Sequence, residues 1–290
     1  MRGRACTSRW YVVGAANAGA DEPLVTAELL ADASTIAPGA TFTLGVRLKT
    51  PDGWHVYWKH PGDTGMATEV ALALPKGFTA GPLQFPVPQR FTQTGEIVDF
   101  GYAGEVMLLV EVTAPKHLPP GRVELQADVT WMVCADEECI PGQAKVSLTL
   151  AAAETPVAAN AELFARWRKA MPVSPAAEKL QAVTSGRPGR GGETTTVTVT
   201  LSGPSLPAGA SVAYAPPGGY AVTAATVESR KGRAVVTLTV RAQKDLPPGN
   251  RMLEVLVLYK GPDGASRAVR VCLGPDKPPV NNPDSKGRTP

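Results

Sequence analysis

The segment from Val123 to Leu150 constrains this chain more than any other, because it alternates with period two on both sides of a short polar loop. Val123, Leu125, Ala127, Val129, Trp131 and Val133 alternate with Glu124, Gln126, Asp128, Thr130 and Met132. Ile140, Ala144, Val146, Leu148 and Leu150 alternate in the same way with Gln143, Lys145, Ser147 and Thr149. Such a pattern predicts a β-hairpin with one buried face. Folding it symmetrically about Ala135–Glu138 sets Val129 opposite Ala144, Ala127 opposite Val146, Leu125 opposite Leu148 and Val123 opposite Leu150. Asp128 then meets Lys145, an opposite-charge cross-strand pair.

The same register sets Cys134 directly opposite Cys139, on the polar face of the hairpin. Opposed residues on antiparallel strands have Cα atoms roughly 4.5–5.5 Å apart, within the roughly 4.4–6.8 Å range that a disulfide accepts. Disulfides that bridge neighbouring strands at an exposed position are often labile or catalytic, whereas a structural cystine usually points into a core. The hairpin alone leaves both readings open, a redox pair and an inert staple.

The rest of the chain supports an all-β fold with two domains. Its 290 residues suffice for two units of ordinary size. Gly and Pro make up about a fifth of the sequence and aromatic residues only 6%, a turn-rich composition. Thr41–Leu48, the segment GWHVYWKHPGD (53–63), Val70–Leu74 and Gly101–Val112 read as short strands separated by Pro/Gly turns. In the second of these, Trp54, Val56 and Trp58 face one way, and His55, Tyr57 and Lys59 the other. FPVPQRF (85–91) is broken by proline and fits only an edge or a loop. After an Ala-rich linker, Leu163, Phe164, Trp167, Ala170 and Met171 recur at helical spacing, with Asn160 as a cap, a Glu162/Arg166 pair on the other side and Pro172 as the stop. A second β-rich region runs from Glu193 to about Leu273. The turn Leu-Pro-Pro-Gly occurs at 118–121 and again at 246–249, a weak hint of related units.

A net charge of +3, scattered along the chain, argues against nucleic-acid partners. No stretch approaches the roughly 18 apolar residues of a membrane helix. MRGR, the small residues Ala18-Gly19-Ala20 and the acidic Asp21-Glu22 suggest a degenerate signal peptide, although Arg9 interrupts its apolar part; a disordered start is the other reading. Cleavage there would remove Cys6. A surface cysteine pair in a β-rich chain fits an oxidising compartment or a redox task.

Other candidates are weaker. His55 and His60, near Met66, could suggest a soft-metal site, but their opposite parity in a strand separates them, and a surface and a turn histidine are expected. His117 reads as loop and Cys272 as a half-buried thiol near a strand end. There is no Cys-x-x-Cys, phosphate loop or Ser/His/Asp arrangement, and no cofactor is expected. The loop Ala135-Asp136-Glu137-Glu138 sets negative charge beside the thiols. Negative charge disfavours thiolate and favours a pair that hands electrons on.

Taken together, GWHVYWKHPGD, FPVPQRF, GYAGEV (101–106) and WMVCADEECIPG (131–142) resemble the periplasmic N-terminal region of the DsbD/ScsB thiol:disulfide interchange proteins, over about residues 24–150. The helix and second β-region resemble the additional domain of the ScsB-like, copper-sensitivity-suppressor branch. The resemblance implies two immunoglobulin-like β-sandwich domains joined by a linker with one short helix. Its expected divisions are a signal or disordered start (1–20), a redox domain (21–152), a helix with a second sandwich (153–276) and a disordered tail (277–290). It implies that Cys134 and Cys139 cycle between dithiol and disulfide. Electrons would come from a membrane-linked thioredoxin-like donor and pass to periplasmic thioredoxin-fold isomerases or reductases, with Cys139 as the attacking residue. It also implies a cap over the pair from the stretch 91–100, with Phe91, Phe100 or Tyr102 as the cover and Asp136, Glu137 and Glu138 shaping the site. The family's membrane domain and C-terminal thioredoxin-like domain are not matched in this sequence. A β-sandwich interaction module with a structural cystine and a copper-binding periplasmic protein are the alternatives.

Overall fold

The computed structural model describes residues 24–92, 95, 97–135, 138–186, 188–189, 192–244, 252–261 and 263–274. The expected signal segment and the tail at 277–290 lie outside these residues, as do Asp136 and Glu137.

Nearly all regular structure is β. The first half contains β1 (Thr26–Ala31), β2 (Ala33–Ile36), β3 (Thr41–Lys49), β4 (His55–Gly62), β5 (Glu69–Ala73), β6 (Thr79–Ala80), β7 (Gln89–Thr92), β8 (Val98–Ala103), β9 (Glu105–Thr113), β10 (Gly121–Ala135), β11 (Glu138–Ala152) and β12 (Val157–Ala158). Helix α1 (Ala161–Lys169) and a 3-10 turn (Pro175–Glu178) lead into the second half. There β13 (Gln181–Ser185), β14 (Thr194–Ser202), β15 (Ser211–Ala215), β16 (Tyr220–Arg230), β17 (Arg233–Ala242), β18 (Leu253–Lys260) and β19 (Ser266–Leu273) follow.

Among the described residues the strands form four open sheets. In the first half β1-β3-β9-β6 forms one, and β12-β2-β11-β10-β4-β8-β7 the other, with β5 pairing β10 off that path. In the second half the orders are β13-β14-β17-β16 and β15-β18-β19. Alternating positions of each strand supply the interior. Leu44, Val46, Val106 and Leu108 from one sheet and Val56, Trp58, Leu125 and Val129 from the other are all essentially inaccessible. Each side chain buried in this way contributes about 1.5–3 kcal/mol. Most of the buried apolar residues of the two halves belong to one contiguous cluster.

Several details follow from particular residues. The expected strand at 101–112 is two strands, divided at Gly104, whose φ of 77° suits a turn that a side chain would strain. FPVPQRF leaves its prolines in a loop and forms the edge strand β7 only from Gln89 on. Helix α1 packs on the outer face of the β1-β3-β9-β6 sheet, where Phe164 is fully buried against Met107 and Leu109. Gly45 makes room for this second small core, since a Cβ there would lie 2.7 Å from the Met107 sulfur. Asn160 stands at the helix start but does not cap it. Its side-chain amide donates to the Ala31 carbonyl instead, 2.9 Å away, with a left-handed backbone. Arg166 reaches Glu105 on β9 at 2.6 Å, where the sequence pattern had paired it with Glu162.

The halves meet along β4, β8 and the α1 connection. Lys59 pairs with Glu254 on β18 at 2.5 Å, Phe100 meets the Tyr214 ring edge-on at 5.4 Å, and His60 lies 5.8 Å from the same ring. Val173 joins β19 as an isolated parallel bridge to Val269.

Candidate functional site

The long hairpin forms in the register that alternation dictates. Val123 pairs with Leu150, Leu125 with Leu148, Ala127 with Val146 and Val129 with Ala144. Asp128 and Lys145 form their ion pair at 3.0 Å. Cys134 pairs with Cys139, and the two are joined by a disulfide with Cα atoms 4.1 Å apart.

What the hairpin alone does not reveal is its neighbour. On its other edge β10 pairs with β5 from Gln126 to Thr130 and then with β4 at Val133 and Cys134. Cys134 lies beside His55, which in turn pairs with Ala103 of β8. Cross-strand partners share a face of the sheet, so Cys139, Cys134, His55 and Ala103 make one row. Tyr57, two residues along β4, projects from the same face.

These neighbours give the two sulfurs different surroundings. Cys134 is only 1% exposed, whereas Cys139 is exposed. The face expected to be polar and open is therefore closed on one side. Topology supplies the reason. β10 is interior at this level, flanked by β4 and β11, while the outer neighbour of β11 in the sheet, β2, meets it only at Ala151 and Ala152. Ile140, expected on the buried face, is likewise 38% exposed at this end.

The cover is aromatic. The Tyr57 phenol, itself fully buried, donates a hydrogen bond to Cys134 Sγ at 3.1 Å. His55 meets the Tyr57 ring edge-on at 5.1 Å and is stacked beneath Phe91 at 4.3 Å with 20° between the planes. Gly65 lies against the other side of Tyr57, where a Cβ would fall 2.2 Å from the ring. The Thr68 hydroxyl donates to the Tyr57 carbonyl at 2.7 Å. Asp99, with no exposed surface, accepts from the Thr64 amide at 2.9 Å and the Thr64 hydroxyl at 2.6 Å.

Burial sets the protonation of this layer. Desolvation lowers the His55 pKa, against the opposing charge of Asp99, so the ring is neutral at pH 7. Among the described residues its Nε2 has no hydrogen-bond partner. Desolvation raises the Tyr57 pKa, a hydrogen bond with Thr64 opposes this, and the Asp99 charge adds to the rise. The phenol is thus a proton donor across the whole range in which a thiol titrates.

Of the three aromatic cap candidates, Phe91 is the one on the cysteine face. Phe100 and Tyr102, one residue out of phase on β8, point to the opposite face. Phe100 is wholly buried, edge-on to Trp58 and Tyr214. The Tyr102 hydroxyl donates to the Pro86 carbonyl at 2.8 Å, and burial, with the charge of Glu254, holds its pKa well above the ordinary range. Glu138 is exposed and pairs with Ala135. His55 is buried rather than on the surface, and His60 lies within β4 rather than in a turn. Among the described residues no group of three or more His, Cys, Asp or Glu is arranged to hold a metal ion. Cys272 is exposed on β19, not half-buried. Sequence reasoning missed Tyr57, Thr64 and Asp99 and weighed His55 only as a metal ligand, although the alternation of GWHVYWKHPGD sets His55 and Tyr57 on one face.

Residues 22–151 match the model of the family described as thiol:disulfide interchange protein DsbD, N-terminal. Among solved structures, the N-terminal periplasmic domain of ScsB from Proteus mirabilis is similar over 86% of this chain and 92% of its own, with 19% identity and a TM-score of 0.57. The reduced N-terminal domain of DsbD from Neisseria meningitidis matches 45% of this chain and 89% of its own at 12% identity, with a TM-score of 0.26. No curated protein matches the sequence. Among the described residues no helix is long and apolar enough to cross a membrane. The family match spans the cysteine hairpin and every residue that covers it, and residues 22–151 are therefore homologous to the N-terminal domain of the thiol:disulfide interchange protein DsbD.

Proposed function

We propose that this chain is a periplasmic electron-relay module in which Cys134 and Cys139 alternate between disulfide and dithiol. The donor would be a membrane-linked thioredoxin-like domain, and the acceptors periplasmic thioredoxin-fold isomerases or reductases. The observation that carries this reading is the asymmetry of the pair. One sulfur is open to a partner at the edge of the sheet, and the other is held beneath Tyr57 in the layer formed with His55 and Phe91. A cystine whose only role was to staple the hairpin would have no use for that difference.

The chemistry is thiol–disulfide exchange. A donor thiolate attacks Cys139 Sγ, the intramolecular S–S bond breaks, and its electron pair stays on Cys134 Sγ. A second donor thiolate resolves the mixed disulfide and leaves the dithiol. In the forward transfer Cys139 attacks the acceptor disulfide and Cys134 displaces the acceptor from it. The exposed position of Cys139 supports its role as the attacking residue. Glu138, with Asp136 and Glu137 in the loop sequence, supplies the negative charge that favours a reducing pair.

The two halves are read as immunoglobulin-like sandwiches, 21–152 and 153–276. The second orients the first through Lys59–Glu254 and the Phe100–Tyr214 contact. The test is a redox titration of residues 21–276 in glutathione and dithiothreitol buffers, read by differential alkylation and mass spectrometry. Reversible cycling of Cys134 and Cys139 in the folded state is expected, at a potential on the reducing side. A pair that stays oxidised until the domain unfolds would reduce the function to that of a binding module.

A further inference from the structure

We propose that Tyr57 is a positioning residue for the exchange reaction, stabilising Cys134 as the leaving thiolate when Cys139 is attacked. The inference rests on the relay reading of the cysteine pair and adds a residue that this reading does not require.

The geometry is specific. The Tyr57 phenol points its proton at Cys134 Sγ from 3.1 Å, in a site where neither group is open to water. When a donor thiolate bonds to Cys139 Sγ, the bond between the two cysteine sulfurs breaks and a full negative charge develops on Cys134 Sγ. Cys134 is buried from water, and among the described residues the hydrogen-bond donor recorded on its sulfur is the Tyr57 phenol. A hydrogen bond to a disulfide sulfur is weak, and the same hydrogen bond to a thiolate is charge-assisted and strong. The contact therefore strengthens along the reaction coordinate, which is the condition for an interaction to speed a step rather than merely bind its reactant. A leaving thiol of lower pKa departs faster.

The surroundings fix the phenol in this role. Gly65 closes the space behind the ring, and Thr68 holds the Tyr57 carbonyl. Thr64, which lies beside the phenol, is anchored through its amide and hydroxyl to the buried Asp99. His55, the nearest ring to the phenol, is neutral and supplies no competing charge.

Tyr57→Phe tests this, since it removes one oxygen and keeps the ring. Two quantities are measured: the rate at which dithiothreitol reduces the folded Cys134–Cys139 disulfide, and the thiol pKa of Cys134 in a Cys139→Ser background, from thiolate absorbance. Reduction is expected to slow roughly tenfold and the thiol pKa to rise by about one unit, the scale of one lost charge-assisted hydrogen bond. A residue that only filled space would leave the pKa where it was. An unchanged rate and pKa in a variant that unfolds at the wild-type temperature would overturn the proposal. If Tyr57→Phe does not fold, a ring-fluorinated tyrosine at position 57, a stronger donor of the same shape, must lower the Cys134 pKa; no change would again overturn it. A wild-type disulfide that dithiothreitol cannot open in the folded state would instead sink the relay reading, while the Cys134 pKa would still decide whether Tyr57 stabilises the thiolate.

Discussion

Removing the Phe91 ring should uncover Cys134, and the size of the effect can be worked from the contacts of that ring. Phe91 is half-buried and stacked on His55 with ring centroids 4.3 Å apart. About half the burial of a phenylalanine contributes roughly 1 kcal/mol, and an aromatic pair adds about 0.5–1.5 kcal/mol. Truncation to alanine thus loses about 2 kcal/mol of what keeps the cover shut. At ~1.4 kcal/mol per tenfold, the uncovered population should rise about 30-fold. The assay is iodoacetamide alkylation of Cys134 in a Cys139→Ser background, with the rate divided by the thiolate fraction at the working pH. Phe91→Leu keeps most of the burial but loses the stack, so it should give an intermediate, roughly fivefold rise. The cover is local to an edge strand that, among the described residues, pairs only with β8, so the global unfolding midpoint should move little. A rate for Phe91→Ala within a factor of about two of the parent would refute the reasoning, because closure would then reside in β4 alone.

Three further outcomes are expected. Burial lowers the His55 and His60 pKa below their unfolded values, so the unfolded chain takes up protons first as pH falls. The stability contributed by the neutral rings is complete above about pH 6.5 and is lost as pH drops through the folded values; urea midpoints measured against pH should show this, less steeply in His55→Asn, and an equal slope in both proteins would contradict it. Gly65→Ala puts a methyl 2.2 Å from the Tyr57 ring at a φ of +76°. It should cost about 2–3 kcal/mol by chemical denaturation and raise the Cys134 pKa as Tyr57→Phe does, whereas a near-neutral effect would show that the ring has room to move. Glu254→Gln breaks the half-buried pair with Lys59 and should cost about 1–2 kcal/mol and loosen the junction, seen as two calorimetric transitions in place of one; a single unshifted transition would mean that the aromatic contacts alone hold the halves together.

Period-two alternation made the central hairpin legible down to its pairing. With side-chain parity fixed and a loop of four residues, only one register buries Val129, Ala127 and Leu125 together, and the Asp128–Lys145 pair agrees with it. The same rule gave the facing of His55, Tyr57 and Val56 within β4. It could not give the partner of β4, because Cys134 and His55 are 79 positions apart and nothing local encodes that pairing. Phe100 and Tyr102 show the same limit from the other side. Both are aromatic and close in sequence to Phe91, but an even position on β8 sends each into the interior. Asn160 was legible as a helix boundary but not in its partner, since the Ala31 carbonyl that holds it lies 129 residues away.

The chemistry therefore depends on information that the hairpin does not contain. Within β10 and β11 the two cysteines are equivalent: directly opposed, on the same face, beside the same acidic loop. Their difference arises one strand further out. β4 flanks Cys134 and brings a phenol and an imidazole with it, whereas β11 has its other neighbour only at its far end, at Ala151 and Ala152. Sheet order thus converts a symmetric pair into an attackable sulfur and a protected one. A covalent staple gains nothing from that distinction, but an exchange reaction needs one sulfur to meet the partner and another to carry the charge. If β4 is what creates the asymmetry, changes at positions 55 and 57 should alter the behaviour of Cys134 while leaving the alkylation of Cys139, in a Cys134→Ser background, near its original rate. Changes in the loop at 135–138 should do the reverse.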